Sequence, residues 1–248
     1  MSWAISDVKL AGLMTTARLD LTSIYEEDNE LPPVFFRTYS MLYAWAFERD
    51  LQIKRAWDLA DGEICRITPL YPRSRTPGTA GYDKIWVRVS SDLYRTGLQH
   101  QALSAFKLTP KELTGVHADH IINRARLKNH PDGWVCLFPV PARANTHFGS
   151  VVERKLAPVD GSVDRIDLSP LVAFKLFCGI FPRSPVQLDT AMKSIRGQWH
   201  TQFPHIQDFI DEMHVEATPY MKWRIATVRK KPRSYVAPPV RDAAALSF

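Results

Sequence analysis

The sequence predicts an α+β protein with a strand–strand–helix unit at its centre, flanked by helical segments. Three observations carry this expectation. A short apolar run at Ile121-Ile122 and a longer one from Trp134 to Val140 bracket a polar loop, and a helical stretch from Ala142 to Leu156 follows. Upstream, apolar positions change between helical spacing and alternation. Downstream, Ser169-Pro170, Ser184-Pro185 and Pro204 each precede an apolar helical pattern. The chain then divides into an N-terminal mixed helical and strand region (1–110), the central unit (111–156) and a C-terminal helical region with a basic tail (157–248).

In chain order, Pro33 to about Ala60 reads as a helix. Its apolar residues recur at helical spacing through Phe36, Tyr39, Leu42, Tyr43, Ala46, Phe47, Leu51, Ile53 and Trp57. Pro32-Pro33 would start it and Asp61-Gly62 would stop it. The aromatic residues Phe35, Phe36, Tyr39, Tyr43, Trp45 and Phe47 read as core or as a surface for protein partners. Glu63 to Tyr71 reads as a strand, and Pro72 to Gly81 as a basic, turn-rich loop. Tyr82 to Val89 alternates as a second strand, with Ile85, Val87 and Val89 on one face. Ser90-Ser91-Asp92 would cap a helix reaching about Phe106, and Thr109-Pro110-Lys111-Glu112 starts a helix or a connection. Past the central unit, 157–162 is a linker, and helices run from Pro170 to about Phe177, Pro185 to about Phe203 and Pro204 to Met213. The proline-bearing tail from Lys231 reads as extended.

Composition bounds the function. With 248 residues, 45% of them hydrophobic, the chain can bury a substantial core. No apolar run approaches the ~20 residues of a membrane span, and Leu171 to Phe181 is interrupted by Lys175. The first residues show no secretory leader. Three scattered cysteines (Cys65, Cys136, Cys178) fit a reducing compartment, and none forms a CxxC pair of the kind that holds a structural zinc. The expectation is a cytoplasmic protein with no membrane partner. The net charge of +6 is mild, but its distribution is uneven. Lys222, Arg224, Arg229, Lys230, Lys231 and Arg233 fall between Met221 and Tyr235 with no acid among them, and Trp223 and Tyr235 accompany them. Cations that neutralise phosphates, beside aromatics that stack on bases, suit nucleic acid.

The chemistry concentrates at 117–149. His117, Asp119 and His120 lie at the first apolar run, and Asn145 and His147 lie in the following helix. Cutting a phosphodiester requires an activated water, neutralised phosphoryl charge and a stabilised leaving oxygen. A hard divalent cation on oxygen ligands supplies the last two, and a neutral imidazole suits the first. Asp119 and the amide oxygen of Asn145 are hard ligands, and His120 is the candidate base. Neighbours on a strand face opposite ways, so Asp119 and His120 share a site only if the strand breaks there. The polar run from Asn123 to Gly133 permits such a break.

Asp-His-Ile, a polar loop, a short apolar strand, then Asn with a Gly soon after: this stretch resembles the HNH, or ββα-metal, nuclease family over about 40 of the 248 residues. The resemblance implies a central ββα-metal motif, Mg²⁺ or Mn²⁺ bound by Asp119 and Asn145, with His147 a further metal ligand or a phosphate contact, and His120 as general base. It implies metal-dependent endonuclease activity on nucleic acid, DNA in preference to RNA. Arg124, Arg126 and Arg143 would contact phosphates beside the motif, and Lys230, Lys231 and Arg233 in the tail. The first alternative is a catalytically inactive nucleic-acid-binding or scaffolding subunit of a larger assembly; the second is a structural or interaction protein that docks through its aromatic N-terminal helix, with the motif coincidental.

Overall fold

The computed structural model of the chain describes residues 5–28, 30–69, 83–178, 181–198 and 204–230. Helices pack around a seven-stranded, antiparallel sheet, so the α+β expectation holds. Strand β6 (Trp134–Pro141) is the axis of that sheet. Its first residues pair with both β1 (Pro33–Phe36) and β4 (Lys84–Arg88), and the rest pair with β5 (Val116–His120). The sheet extends from β4 through β3 (Ile64–Pro69) to β2 (Leu51–Arg55), and past β1 to β7 (Arg165–Asp167). A strand enclosed on all sides carries a continuous apolar run rather than an alternating one, and 134–140 is buried at every position.

The expected helix over 33–60 is instead three elements: β1, α2 (Tyr39–Glu48) and β2. Pro33-Val-Phe-Phe36 is β-branched and aromatic, and its last two residues register against Val135 and Trp134. Thr38 is extended, and its hydroxyl accepts from the Met41 N–H at 3.3 Å, so the helix begins only there. Asp50, at φ 53°, then turns the chain into β2. The aromatic run splits accordingly. Phe35, Phe36 and Trp45 enter the core, while Tyr39, Tyr43 and Phe47, four residues apart on one helix face, stay exposed, Phe47 by 74%.

Strands β3 and β4 fall where alternation puts them, although Ile85, Trp86 and Val87 are all buried, so β4 is covered on both faces. The basic loop 72–81 lies outside the described residues. Helix α3 (Tyr94–Phe106) starts later than its Ser-Ser-Asp signal. Ser91 Oγ accepts from the Leu93 N–H at 3.1 Å and donates to Glu63 at 2.8 Å, which leaves Leu93 as a cap without a side-chain bond. Thr109 donates its N–H and hydroxyl to the Glu112 carboxylate at 2.8 and 2.7 Å, but the chain makes turns and enters β5 without forming a helix.

Helix α1 (Ile5–Asp28) packs on α3 and β6. Helix α4 (Ala142–Val151) follows β6 directly and ends in a 3-10 turn at Glu153–Lys155. Helices α5 (Pro170–Cys178), α6 (Pro185–Gln198) and α7 (Pro204–Lys230) pack on one another, and α5 also packs on α4 and β6. The last helix is far longer than the expected 204–213 and carries Pro219 inside it. One hydrophobic cluster spans Leu13 to Ala217, so the three segments read from the sequence share a core. Among the described residues no helix is long and apolar enough to cross a membrane.

Candidate functional site

The pairing of β5 with β6 sets Asp119 opposite Phe138 and His120 opposite Leu137. The Asp-His pair therefore ends a strand rather than opening one. Immediately after it, Ile121 donates its N–H to the Cys136 carbonyl at 3.1 Å, and the chain leaves the sheet through turns. This break resolves the strand-parity conflict, because Asp119 and His120 line the same open pocket of about 300 Å³. Helix α4 adds Asn145 to its wall, β5 adds His117, and α3 adds Tyr94 and Arg95. The Ala142 N–H donates to the Gly115 carbonyl at 2.8 Å, which fixes the start of α4 beside the start of β5.

Asp119 is buried, and its carboxylate lies between two partners. On one side Asn145 hydrogen-bonds it, and the same amide reaches to 3.5 Å from His117 Nδ1. On the other side Oδ2 meets the Lys175 ammonium at 2.5 Å. Lys175 comes from α5, is 1% exposed, and also reaches Glu153 Oε1 at 2.6 Å and the Ile121 carbonyl at 3.3 Å. Asn123 donates to the other oxygen of Glu153 at 3.2 Å. Burial alone would lower the Lys175 pKa; the two carboxylates hold it above the ordinary value. Burial raises the pKa of Asp119, as does Glu153, against the pull of Lys175. Behind the pocket wall two carboxylates share one ammonium, and a buried carboxylate without full compensation seeks a cation or a proton.

His120 is 6% exposed, with its ring 4.9 Å from that of Tyr94. Its Nε2 is buried and, among the described residues, lacks a hydrogen-bond partner. Burial first, then the nearby Arg124 and Lys175 charges, lower its pKa to about 4, against a weaker opposite pull from Asp92. The imidazole is therefore neutral at pH 7. A buried polar nitrogen without a partner carries a desolvation cost, and the residue that bears it lines the pocket.

The other residues singled out by sequence distribute unevenly. His147 lies two positions past Asn145 on α4, which turns it to another side of the helix. It does not line the pocket, and its ring faces Phe181 with centroids 6.2 Å apart. Arg124 does line the pocket and pairs with Asp92 at 3.0 Å. Arg126 donates to the Ala157 carbonyl at 3.1 Å, and Arg143 is exposed on the first turn of α4. Lys230 ends α7, while Lys231 and Arg233 lie outside the described residues. Sequence reasoning missed Tyr94, Arg95, Asn123, Glu153 and Lys175. The last had a signal: a single charge in the apolar helix Pro-Leu-Val-Ala-Phe-Lys-Leu-Phe-Cys.

The cysteines contribute no chemistry here. Cys65 is buried, and burial together with Cys136 pushes its thiol up to about 12. Among the described residues no group of three His, Cys, Asp or Glu side chains is arranged to hold a metal ion. A hard cation at this pocket would use Asp119, the amide oxygen of Asn145 and water, and the uncompensated charge suits that donor set. No protein-family model, no curated protein and no solved structure matches the chain.

Proposed function

We propose that the chain is a metal-dependent endonuclease of the ββα-metal type, acting on DNA in preference to RNA, with β5, β6 and α4 as its ββα motif. The observation that carries the reading is the convergence of Asp119, the neutral, unpartnered His120 and Asn145 on one pocket. The basic Arg95 and Arg124 on the same wall suit a phosphodiester.

In this mechanism Arg95 and Arg124 draw the phosphate in and orient it. A water held beside the His120 imidazole attacks phosphorus, and its proton passes to the ring. The bond to the departing oxygen breaks as the new P–O bond forms. A pKa of about 4 keeps His120 unprotonated before the reaction. The bound phosphate brings negative charge beside the ring and raises its affinity for the proton. Asp119 and Asn145 would hold Mg²⁺ or Mn²⁺, which supplies charge neutralisation at the phosphoryl and leaving oxygens. Lys175 and Glu153 keep Asp119 in place.

A catalytically inactive nucleic-acid-binding subunit is the rival reading, and the occupied face of Asp119, already paired with Lys175, favours it. Nicking of supercoiled plasmid by purified protein in Mn²⁺ separates the two. Under the proposal His120→Ala loses ~10²–10⁴-fold in rate with unchanged DNA affinity. Cleavage by the variant at the wild-type rate, or none by wild type in any divalent cation, overturns the proposal.

A further inference from the structure

The Lys175 ammonium has three N–H donors, and three oxygens surround it: Asp119 Oδ2 at 2.5 Å, Glu153 Oε1 at 2.6 Å and the Ile121 carbonyl at 3.3 Å. The oxygens come from the end of β5, from the 3-10 turn after α4 and from the first residue beyond β5. Two carboxylates and a backbone carbonyl form the kind of donor set that a hard metal ion takes. The lysine reaches this seat from a helix outside the strand–strand–helix unit, among buried Phe174, Leu176 and Phe177. An apolar side chain would pack there at no desolvation cost, but it would leave two buried carboxylates facing each other without a counter-charge.

We propose that Lys175 is a tethered cation: its ammonium fills an oxygen-lined seat that would otherwise take a second hard divalent ion, and it so limits the site to one metal, on the pocket side of Asp119. The limit to one metal rests on the nuclease reading; the seat itself does not. With Oδ2 engaged by the ammonium, Asp119 offers a pocket ion its other oxygen. Asp119 is then a single-oxygen ligand whose orientation is set from α5.

The test counts Mn²⁺ ions bound per chain in wild type and Lys175→Ala, by equilibrium dialysis with the free ion read by electron paramagnetic resonance, and follows Tm with and without Mn²⁺. Lys175→Ala binds one ion more than wild type. At a Mn²⁺ concentration about 100 times the dissociation constant of that ion, its Tm rises by about 5–10 °C beyond any rise in wild type. Lys175→Arg, which keeps the charge, retains the wild-type count. Lys175→Ala with Glu153→Gln loses the extra ion. The nuclease reading enters only through the wild-type count, one ion if it holds and none if it fails, whereas the increment tests the seat. Equal counts in wild type and Lys175→Ala overturn the proposal, as does an extra ion kept by the double variant or gained by Lys175→Arg. A Lys175→Ala chain that stays unfolded with and without Mn²⁺ overturns it too, because the ion is expected to restore the missing charge.

Discussion

Replacing His120 by asparagine changes how stability depends on pH, and the structure sets the size of the change. His120 is buried with its Nε2 unpartnered, and its folded pKa is about 4 against an ordinary 6.5. The folded state therefore resists a proton that the unfolded chain accepts. Stability from this group is fully present above about pH 6.5 and is lost as pH falls toward 4. For these two values, linkage gives a loss of about 2 kcal/mol between pH 7 and pH 5, and about 3 kcal/mol by pH 4. Asp119 contributes with the opposite sign: its folded pKa is raised from 3.8 to about 6, so the folded state gains relative stability as pH falls through that window. These two contributions offset each other to within about 1 kcal/mol between pH 7 and pH 5. Burial, Lys175, Glu153 and Asn145 shift Asp119, and none of these is removed by His120→Asn. The Asp119 contribution thus drops out of the difference between the two proteins. Urea titrations of both at pH 7, 6 and 5 measure that difference. The stability of His120→Asn relative to wild type should rise by about 2 kcal/mol from pH 7 to pH 5. A pH-independent difference would mean that His120 is solvated or paired in the native protein, and the case for a poised base would fall with it.

Three further outcomes follow from particular residues. Asp119→Ala and Asn145→Ala should each shift the Mn²⁺ activation curve of plasmid nicking to higher concentration, and unchanged curves would move the metal elsewhere, with His117 and His147 the next residues to test. Gly133→Ala places a Cβ 2.5 Å from the Phe35 ring, which is fully buried, so thermal or urea unfolding should show a loss of about 1–3 kcal/mol. Removing residues 229–248 should flatten the salt dependence of DNA affinity by about 0.9 in log–log slope for each phosphate that the tail neutralises, measured by anisotropy, with the single-turnover rate unchanged at saturating DNA.

Much of the fold was legible because patterning was strong. The run 134–140 is apolar throughout because strands pair along β6 while helices α1, α3, α4 and α5 pack against it, and the Ser-Pro pairs open helices α5 and α6 where expected. The failure over 33–60 has a physical origin. Nine apolar positions fit a helical period, but β-propensity at Val34-Phe35-Phe36 and the Thr38 cap act on shorter scales and divide the stretch. The convergence of the candidate residues on one pocket was legible in part for the same reason. Asp119, His120 and Asn145 are local to one strand–strand–helix unit, so their order along the chain carries their geometry. Glu153 and Lys175 meet only through tertiary packing of α5, which order along the chain does not encode. His147 was close in sequence, yet two residues of helical rotation carry it away from the pocket.

That division bears on how so small a unit is held. With no CxxC pair to carry a zinc, the loop between β5 and β6 is fixed by ordinary packing and by several polar clasps. His130, 3% exposed, sets its Nε2 2.7 Å from the Asp160 carbonyl and its ring edge-on to Phe35, tying the loop to the segment before β7 and to β1. Lys175 ties the end of β5 and the turn after α4 to α5. A zinc on cysteines would brace the loop without touching the reactive groups. Lys175 braces the unit through the carboxylate proposed to bind metal. Stability and the proposed chemistry therefore share one residue, Asp119. Its replacement removes the proposed ligand and also leaves a buried ammonium with one carboxylate fewer, so the damage to folding should exceed that from losing Asn145, a neutral partner of Asp119. Urea unfolding of Asp119→Ala and Asn145→Ala, each in EDTA, measures this ordering independently of cleavage. Equal destabilisation in the two would mean that the Lys175 pairing carries no stability of its own.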